Sequence, residues 1–367
     1  MVIGVPTEIK RHEYRVGLTP FDVAGYVSRG HTVLVESRAG EGSAHSDEQY
    51  TNQGAQIVHS AADVWSRADM IIKVKEPLPE EYGFLRPGLI LYTYLHLAAN
   101  RELTEKLMEQ EVTGIAYETI ELDDGSLPCL TPMSEIAGRL SVQEGAKYLE
   151  KAYGGRGILL GGVPGVHRGK VAIIGGGIVG TNACKIAVGI GAEVTVLDIN
   201  ARRLAYLDDI FGSAITTLYA TEANLDIEAQ AADILIGAVL VHGESAPKLV
   251  SRDLLRRMKP GAVLVDVAID QGGCAETSRP TTHDDPIFIE EGVVHYCVAN
   301  MPGAVAYSST IALTSVTLPF GMQIAELGAR KAAAANPAIK RGLNTIAGKL
   351  VHRGVARSCE LSYTEYS

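Results

Sequence analysis

The stretch VAIIGGGIVG, residues 171–180, narrows the folds open to this chain more than any other segment. An apolar run reads as a strand, Gly175, Gly177 and Gly180 follow it, and an apolar-periodic helix opens at once. A second apolar run, AEVTVLD, ends on Asp198, about 20 residues beyond the first glycine. A glycine triplet alone is a weak signal, because ordinary tight turns use glycine too. The strand, helix and acid around it give it meaning. Gly175 allows the tight turn, Gly177 lets backbone approach a pyrophosphate, and Gly180 lets helix and strand pack closely. The helix N-terminus adds unpaired N–H groups and partial positive charge for phosphates. Asp198 can accept hydrogen bonds from a ribose 2′-hydroxyl and would repel a 2′-phosphate. The stretch therefore reads as a dinucleotide site, for NAD in preference to NADP. Arg202 and Arg203 pull the other way, since arginine is the usual partner of a 2′-phosphate. They lie about 100° apart around the helix, so at most one faces the site. Arg203 is expected to stack on the adenine edge or to pair with Asp198.

The same strand–helix alternation runs through most of the chain. Before the glycines, strands are expected at 2–6, 32–37, 70–75, 89–94 and 112–117, with helices at 20–29, 47–53, 60–67 and 98–110. One long helix is expected over 131–155, with Ser134 as its N-cap and Gly154-Gly155 as its stop. The second series has strands at 171–174, 194–197, 234–238, 263–267 and 293–297, with helices at 178–190, 201–211, 221–231 and 251–258. Beyond 302 the pattern is helical at 309–327 and 337–350. This is an α/β chain of two doubly wound domains. The nucleotide domain, 129–302, is inserted into a discontinuous domain made of 1–128 and 303–367.

Composition excludes several classes. A formal net charge of -10 leaves no basic face for nucleic acid. Five scattered cysteines without a C-x-x-C pair suit a reducing cytoplasm better than a disulfide framework or a zinc site. Charge appears within the opening MVIGVPTEIKRHEYR, before a signal peptide could form, and no apolar run reaches the roughly 20 residues of a membrane span. A cytoplasmic protein with no membrane partner is expected.

A bound dinucleotide needs a substrate. Arg15 and Lys75 stand just after strand-like runs, His96 ends LYTYLH, and Asp270 follows AVLVDVAID. Ligands of such sheets bind beyond the carboxyl ends of the strands. Two cations there could fix a small carboxylate, and a histidine exchanges protons near neutral pH. Taken singly, a lysine or arginine at a strand end is more often merely solvated. The remaining histidines show no metal-ligand spacing, and no metal is expected.

GVPTEIKRHEYRVGLTP, KVKEP, YLHLA, TPMSEIAGR, IIGGGIVG and NMPGAVA together resemble the alanine dehydrogenases, in order and spacing, over essentially the whole chain. The nucleotide-binding part of nicotinamide nucleotide transhydrogenases shares the likeness more weakly. The resemblance implies two Rossmann-like domains flanking a cleft, a homohexamer, and NAD-linked conversion of L-alanine to pyruvate and ammonium, with the reverse amination. It implies Arg15 on the substrate carboxylate, Lys75 at its carboxylate and carbonyl end, His96 as proton donor and acceptor, and Asp270 as the second catalytic group. On the cofactor side it implies Ser134, Gly175 to Gly180 with Ile178 and Val179, Asp198, Val239, Leu240, and Val267, Ala268, Ile269 and Asp270. Val298 to Met301, with Asn300, would close over nicotinamide and substrate. Tyr94, Met133 and Met301 are candidates to line a pocket for the substrate methyl, or ordinary core residues. Two departures from the family stand at His242-Gly243-Glu244 and at Ala306-Tyr307. A soluble transhydrogenase subunit and a non-catalytic NAD-binding protein are the alternative readings.

Overall fold

In the computed structural model, which describes residues 1–239 and 246–366, the chain divides into two units: Met1–Met133 with Gly303–Ser367, and Ser134–Pro302. Each is built on its own sheet. In the first unit, β1 (Val2–Val5), β2 (Thr32–Glu36), β3 (Gln56–Val58), β4 (Met70–Ile72), β5 (Ile90–Thr93) and β6 (Thr113–Ala116) lie parallel in the order β3-β2-β1-β4-β5-β6. In the second, β7 (Lys170–Ile174), β8 (Glu193–Asp198), β9 (Thr216–Tyr219), β10 (Ile234–Gly237), β11 (Val263–Asp266), β12 (Ile287–Glu290) and β13 (Val293–Tyr296) run in the order β12-β13-β11-β10-β7-β8-β9. Only β12 is antiparallel there. Both sheets thus reverse direction of winding once, between β1 and β4 and between β7 and β10, as doubly wound folds do.

The central strands are short apolar runs because helices cover both of their faces. β4, β5, β6, β10, β11 and β13 are buried at every position. In the first unit one core cluster includes Leu34, Trp65, Ile71, Leu91 and Leu107. In the second a cluster joins Ala172, Leu235, Leu254 and Leu264. Helix entries follow their capping chemistry. At Pro20–Ser28, Thr19 and Asp22 form a reciprocal capping box with proline in the first turn.

Several expectations need correction. The long helix runs from Thr131 to Tyr148, not to 155, and a 3-10 turn at Lys151–Tyr153 ends on Gly154 at φ 87. Ser134 is not its N-cap but lies inside the first turns; Pro132 suits a helix start because its missing N–H would be unpaired there anyway. Residues 129–133, read with the nucleotide domain, fall in the first unit, where the Met133 thioether accepts from Arg15. Residues 337–350 are not one helix. A short helix, Pro337–Gly342, gives way to a hairpin of β14 (Leu343–Ile346) and β15 (Lys349–Leu350). Ala347 and Gly348 both take positive φ, 49 and 74, which suits a two-residue hairpin turn. β14 pairs antiparallel with β6, so the end of the chain completes the first sheet. Ala306-Tyr307 opens the helix Ala306–Leu327, with Tyr307 exposed.

Candidate functional site

The first unit gathers charge at its winding reversal. The loop after β1 carries Glu8, Lys10, Glu13 and Arg15, and the segment after β4 carries Lys73, Lys75 and Glu76. Tyr94 and His96 follow β5, and Glu118 follows β6. Arg15 is 3% exposed and is held by Glu13: Nε donates to Oε1 at 2.6 Å and Nη2 to Oε2 at 2.5 Å. Nη1 donates to the Met133 Sδ at 3.1 Å. Burial works against the Arg15 charge, and the Glu13 carboxylate overcomes it, so the guanidinium stays cationic. Such a two-pronged carboxylate bond fixes the plane of the guanidinium as well as its charge.

The two lysines of KVK have different fates. Lys73 is 1% exposed and closed into an ion pair, its Nζ donating to Glu81 at 2.6 Å, with Glu8 at 3.5 Å. Lys75 is partly buried and enters no ion pair among the described residues. Burial, then the nearby cations Arg15 and Lys10, push the Lys75 ammonium below the ordinary lysine range. A lysine so placed attracts an anion and gives up a proton more readily than a solvated one. Lys75 is the one suited to chemistry.

His96 stands with φ 50 and ψ 32, a left-handed backbone uncommon away from glycine. Its amide N donates to Glu118 Oε1 at 2.5 Å, and Leu95 N donates to the same carboxylate at 3.1 Å. The imidazole Nδ1 lies 3.0 Å from Glu76 Oε2, and the ring stacks on Tyr94 with centroids 5.8 Å apart. Tyr94 is buried; its hydroxyl donates to the Cys129 carbonyl and its ring meets Tyr117 edge-on. The structure therefore brings Arg15, Lys75, Tyr94, His96 and Met133 onto one unit. Sequence reasoning missed Glu8, Glu13, Glu76, Glu81 and Glu118. Only Glu13 left a local trace, as the Glu-x-Arg spacing with Arg15.

In the second unit the glycine segment spans the loop from β7 into the helix Ile178–Ile190. Gly175 has φ 100, and a Cβ there would stand 2.6 Å from the Ala238 carbonyl oxygen. A Cβ on Gly180 would lie 1.8 Å from the Gly175 carbonyl oxygen, so helix and loop touch as only glycine permits. Gly177 differs: a Cβ there meets nothing within 4 Å among the described residues. No side-chain hydrogen bond from Gly177 caps the helix, so no N-cap side chain takes up its first-turn N–H groups. Those are the features a pyrophosphate needs, and the loop fits a dinucleotide. Ile178 is exposed and Val179 and Val239 are partly so.

Asp198 ends β8 as expected, yet its carboxylate already serves the loop. Oδ2 accepts from Gly176 N and Oδ1 from Asn200 N, both at 2.7 Å. Each oxygen keeps a further lone pair for a ribose hydroxyl. Arg203 does not pair with Asp198. It donates to the Gly176 carbonyl and to Thr181 Oγ1, and packs over Tyr206, because these acceptors lie beneath the helix it comes from. Asp270 is exposed on a 3-10 turn, Val267–Gln271, not at the end of a strand. Asp266 builds that turn: its carboxylate accepts from Ala268 N at 3.1 Å and from Cys274 N at 2.8 Å. Ala268 and Ile269 are buried in the turn, and Val298 and Met301 are buried as well. Asn300 has φ 62, and its carbonyl lies 3.3 Å from His283 Nε2. Leu240 and the departure at His242-Gly243-Glu244 lie outside the described residues.

Residues 4–137 match the family described as alanine dehydrogenase/PNT, N-terminal domain, and residues 141–353 match its C-terminal domain. The chain is 57% identical over 365 residues to the alanine dehydrogenase of Methanococcus maripaludis, spanning 99% of this chain and 98% of that protein. A solved L-alanine dehydrogenase is similar with a TM-score of 0.95 at 55% identity, over 98% of this chain and 99% of that one. A solved transhydrogenase from Sinorhizobium meliloti follows at a TM-score of 0.82 and 25% identity, over 96% and 99%.

Proposed function

The chain belongs to the alanine dehydrogenase family and has alanine dehydrogenase activity, and from that premise we propose how its own residues carry the reaction. NAD, when bound, would supply the hydride acceptor for Cα of L-alanine. Arg15 and Lys75 hold the substrate carboxylate, and Lys75 also meets the carbonyl end of pyruvate in the reverse direction. Holding the substrate in one orientation is worth several kcal/mol in reactions of this kind. His96 takes a proton from the water that attacks the iminium carbon, and returns one when pyruvate is aminated. Asp270 orients that water and stabilises the positive charge nearby. Tyr94, Met133 and Met301 confine the methyl group. Ser134, the Gly175–Gly180 loop with Ile178 and Val179, Asp198, Arg203, Val239, Leu240, Val267 to Asp270 and Val298 to Met301 hold the dinucleotide. Arg203 acts there by steadying the glycine-loop carbonyls.

What supports this most is that Arg15, Lys75 and His96 come from the separate segments that follow β1, β4 and β5, three neighbouring parallel strands, and such folds bind ligands beyond the carboxyl ends of their strands. A single carboxylate clamp presents one face of Cα to the nicotinamide. Purified protein is therefore expected to reduce NAD⁺ with L-alanine and not with D-alanine, followed by absorbance of the reduced nicotinamide. Equal rates with both enantiomers, or none with either, would remove the assignment. The transhydrogenase reading rests on 25% identity against 57% for the alanine dehydrogenase and is not adopted.

A homohexamer acting in the cytoplasm completes the proposal, and it rests on the family alone. Among the described residues no helix is long and apolar enough to cross a membrane. Light scattering is expected to give the mass of a hexamer, and a stable monomer at micromolar concentration contradicts it.

A further inference from the structure

We propose that Glu76 is a positioning residue that aims and charges His96 for its proton transfer, and that Lys10 sets how strongly Glu76 acts. The proposal rests on the reading of His96 as proton acceptor. A carboxylate only accepts hydrogen bonds, so the 3.0 Å contact between Glu76 Oε2 and His96 Nδ1 places the ring proton on Nδ1. Nε2 is then the nitrogen that exchanges protons with water or substrate. The His96 side chain is 45% exposed while that of Glu76 is 11% exposed, so the acid works from beneath and the working edge of the ring stays accessible. Glu76 spends its other oxygen on the Lys10 Nζ. Lys10 is 41% exposed and belongs to the loop after β1, whereas Glu76 follows β4.

A solvated surface ion pair would leave both partners free to rotate. Here every degree of freedom of His96 is taken up. Glu118 from beyond β6 fixes the left-handed backbone, Tyr94 stacks against the ring, and Glu76 fixes its rotation. Burial acts to raise the Glu76 carboxyl, but its bonds to His96 and Lys10 hold it down to about 2, so it is ionised throughout the working range. Lys75 and the Tyr82 hydroxyl also feel the Glu76 charge. The Glu76 carboxylate lies against Nδ1 and the Lys10 Nζ against the other oxygen of that carboxylate, so two opposite charges reach the ring from one side.

The two neighbours therefore act with opposite sign. Oxidation of L-alanine needs His96 unprotonated, so kcat/KM falls on the acid side as the ring takes a proton. Glu76→Gln keeps an acceptor oxygen but removes the charge, and is expected to move that acid limb about one pH unit lower. Lys10→Gln removes the offset, and is expected to move the limb higher by roughly half a unit. Glu76→Ala, which loses the aim of the ring as well, is expected to lower kcat roughly tenfold or more with little change in the KM for alanine. Thermal melts of all three variants separate these effects from loss of fold. Limbs that move together, or that stay where they are in correctly folded protein, overturn the role of Glu76. A limb that survives His96→Ala instead overturns the assignment of His96 itself.

Discussion

Gly177→Ala is expected to fold like the parent and bind NADH poorly, whereas Gly180→Ala is expected to lose stability as well as binding. The two glycines stand three residues apart in one loop and meet different surroundings. At Gly180 an added Cβ falls 1.8 Å from the Gly175 carbonyl oxygen, and backbone cannot rotate out of the way as a side chain can. Overpacking costs typically about 1–3 kcal/mol, and a clash with main chain belongs at or above the top of that range. For a unit of this size that is a fall in Tm on the order of 10 °C. At Gly177 the backbone, φ -64 and ψ -158, is one that alanine adopts, and the new methyl touches no atom of the described residues within 4 Å. Its Tm should stay within about 2 °C of the parent. The methyl does stand where a pyrophosphate must approach the backbone, so the dissociation constant for NADH should rise roughly tenfold or more, about 1.4 kcal/mol. Calorimetric titration and thermal melting measure the two quantities separately. Unchanged NADH affinity in Gly177→Ala would remove the phosphate from that loop.

His96→Ala and Asp270→Asn are expected to lower kcat by about 10²–10⁴ while leaving NADH affinity within about twofold. Both groups are assigned to the substrate amine and the attacking water, and neither to the adenosine end of the cofactor. Lys75→Ala should differ in kind: the KM for pyruvate rises as kcat falls, since that lysine is proposed both to bind and to polarise. Steady-state kinetics in both directions, with NADH binding followed by fluorescence, distinguish these patterns. Near-normal turnover in His96→Ala or Asp270→Asn would sink the role given to that residue.

How legible the fold was in the sequence depended on burial. VIGV, TVLVE, ILYT, KVAII and VLVD stand out because helices cover both faces of their strands, so nearly every side chain is apolar. β3, β9 and β12 carry no such run. They sit at sheet edges, are only three or four residues long and are partly exposed along their length, and so resemble loops. The hairpin after Gly342 was hidden because its strands are only four and two residues long and follow directly on a helix. Charges standing at strand ends made Arg15, Lys75 and His96 visible. Glu76 and Glu118 were not visible, because each meets His96 from a different loop, and no spacing along the chain encodes that meeting. Lys73 and Lys75 show the limit most plainly. In sequence they are equivalent, and only the arrival of Glu81 and Glu8 at one of them makes it structural.

The pairing of β14 with β6 has a consequence for the order in which this molecule can be assembled on the ribosome. Gly114 N donates to the Thr345 hydroxyl across 231 residues of chain, and the whole second unit is translated in between. The second unit is continuous and can close its own sheet as soon as it has emerged. The first unit cannot. Until residues 343–350 appear, β6 is an open edge of fully buried composition, paired to β5 on one side and with the hydrogen-bonding groups of its outer side unpaired. Nascent chains are thus committed to carrying a sticky strand while the 231 residues from Gly114 to Thr345 are made, the period in which such edges recruit neighbouring chains. The closing hairpin is both the last piece of the sheet and the cover that makes it safe.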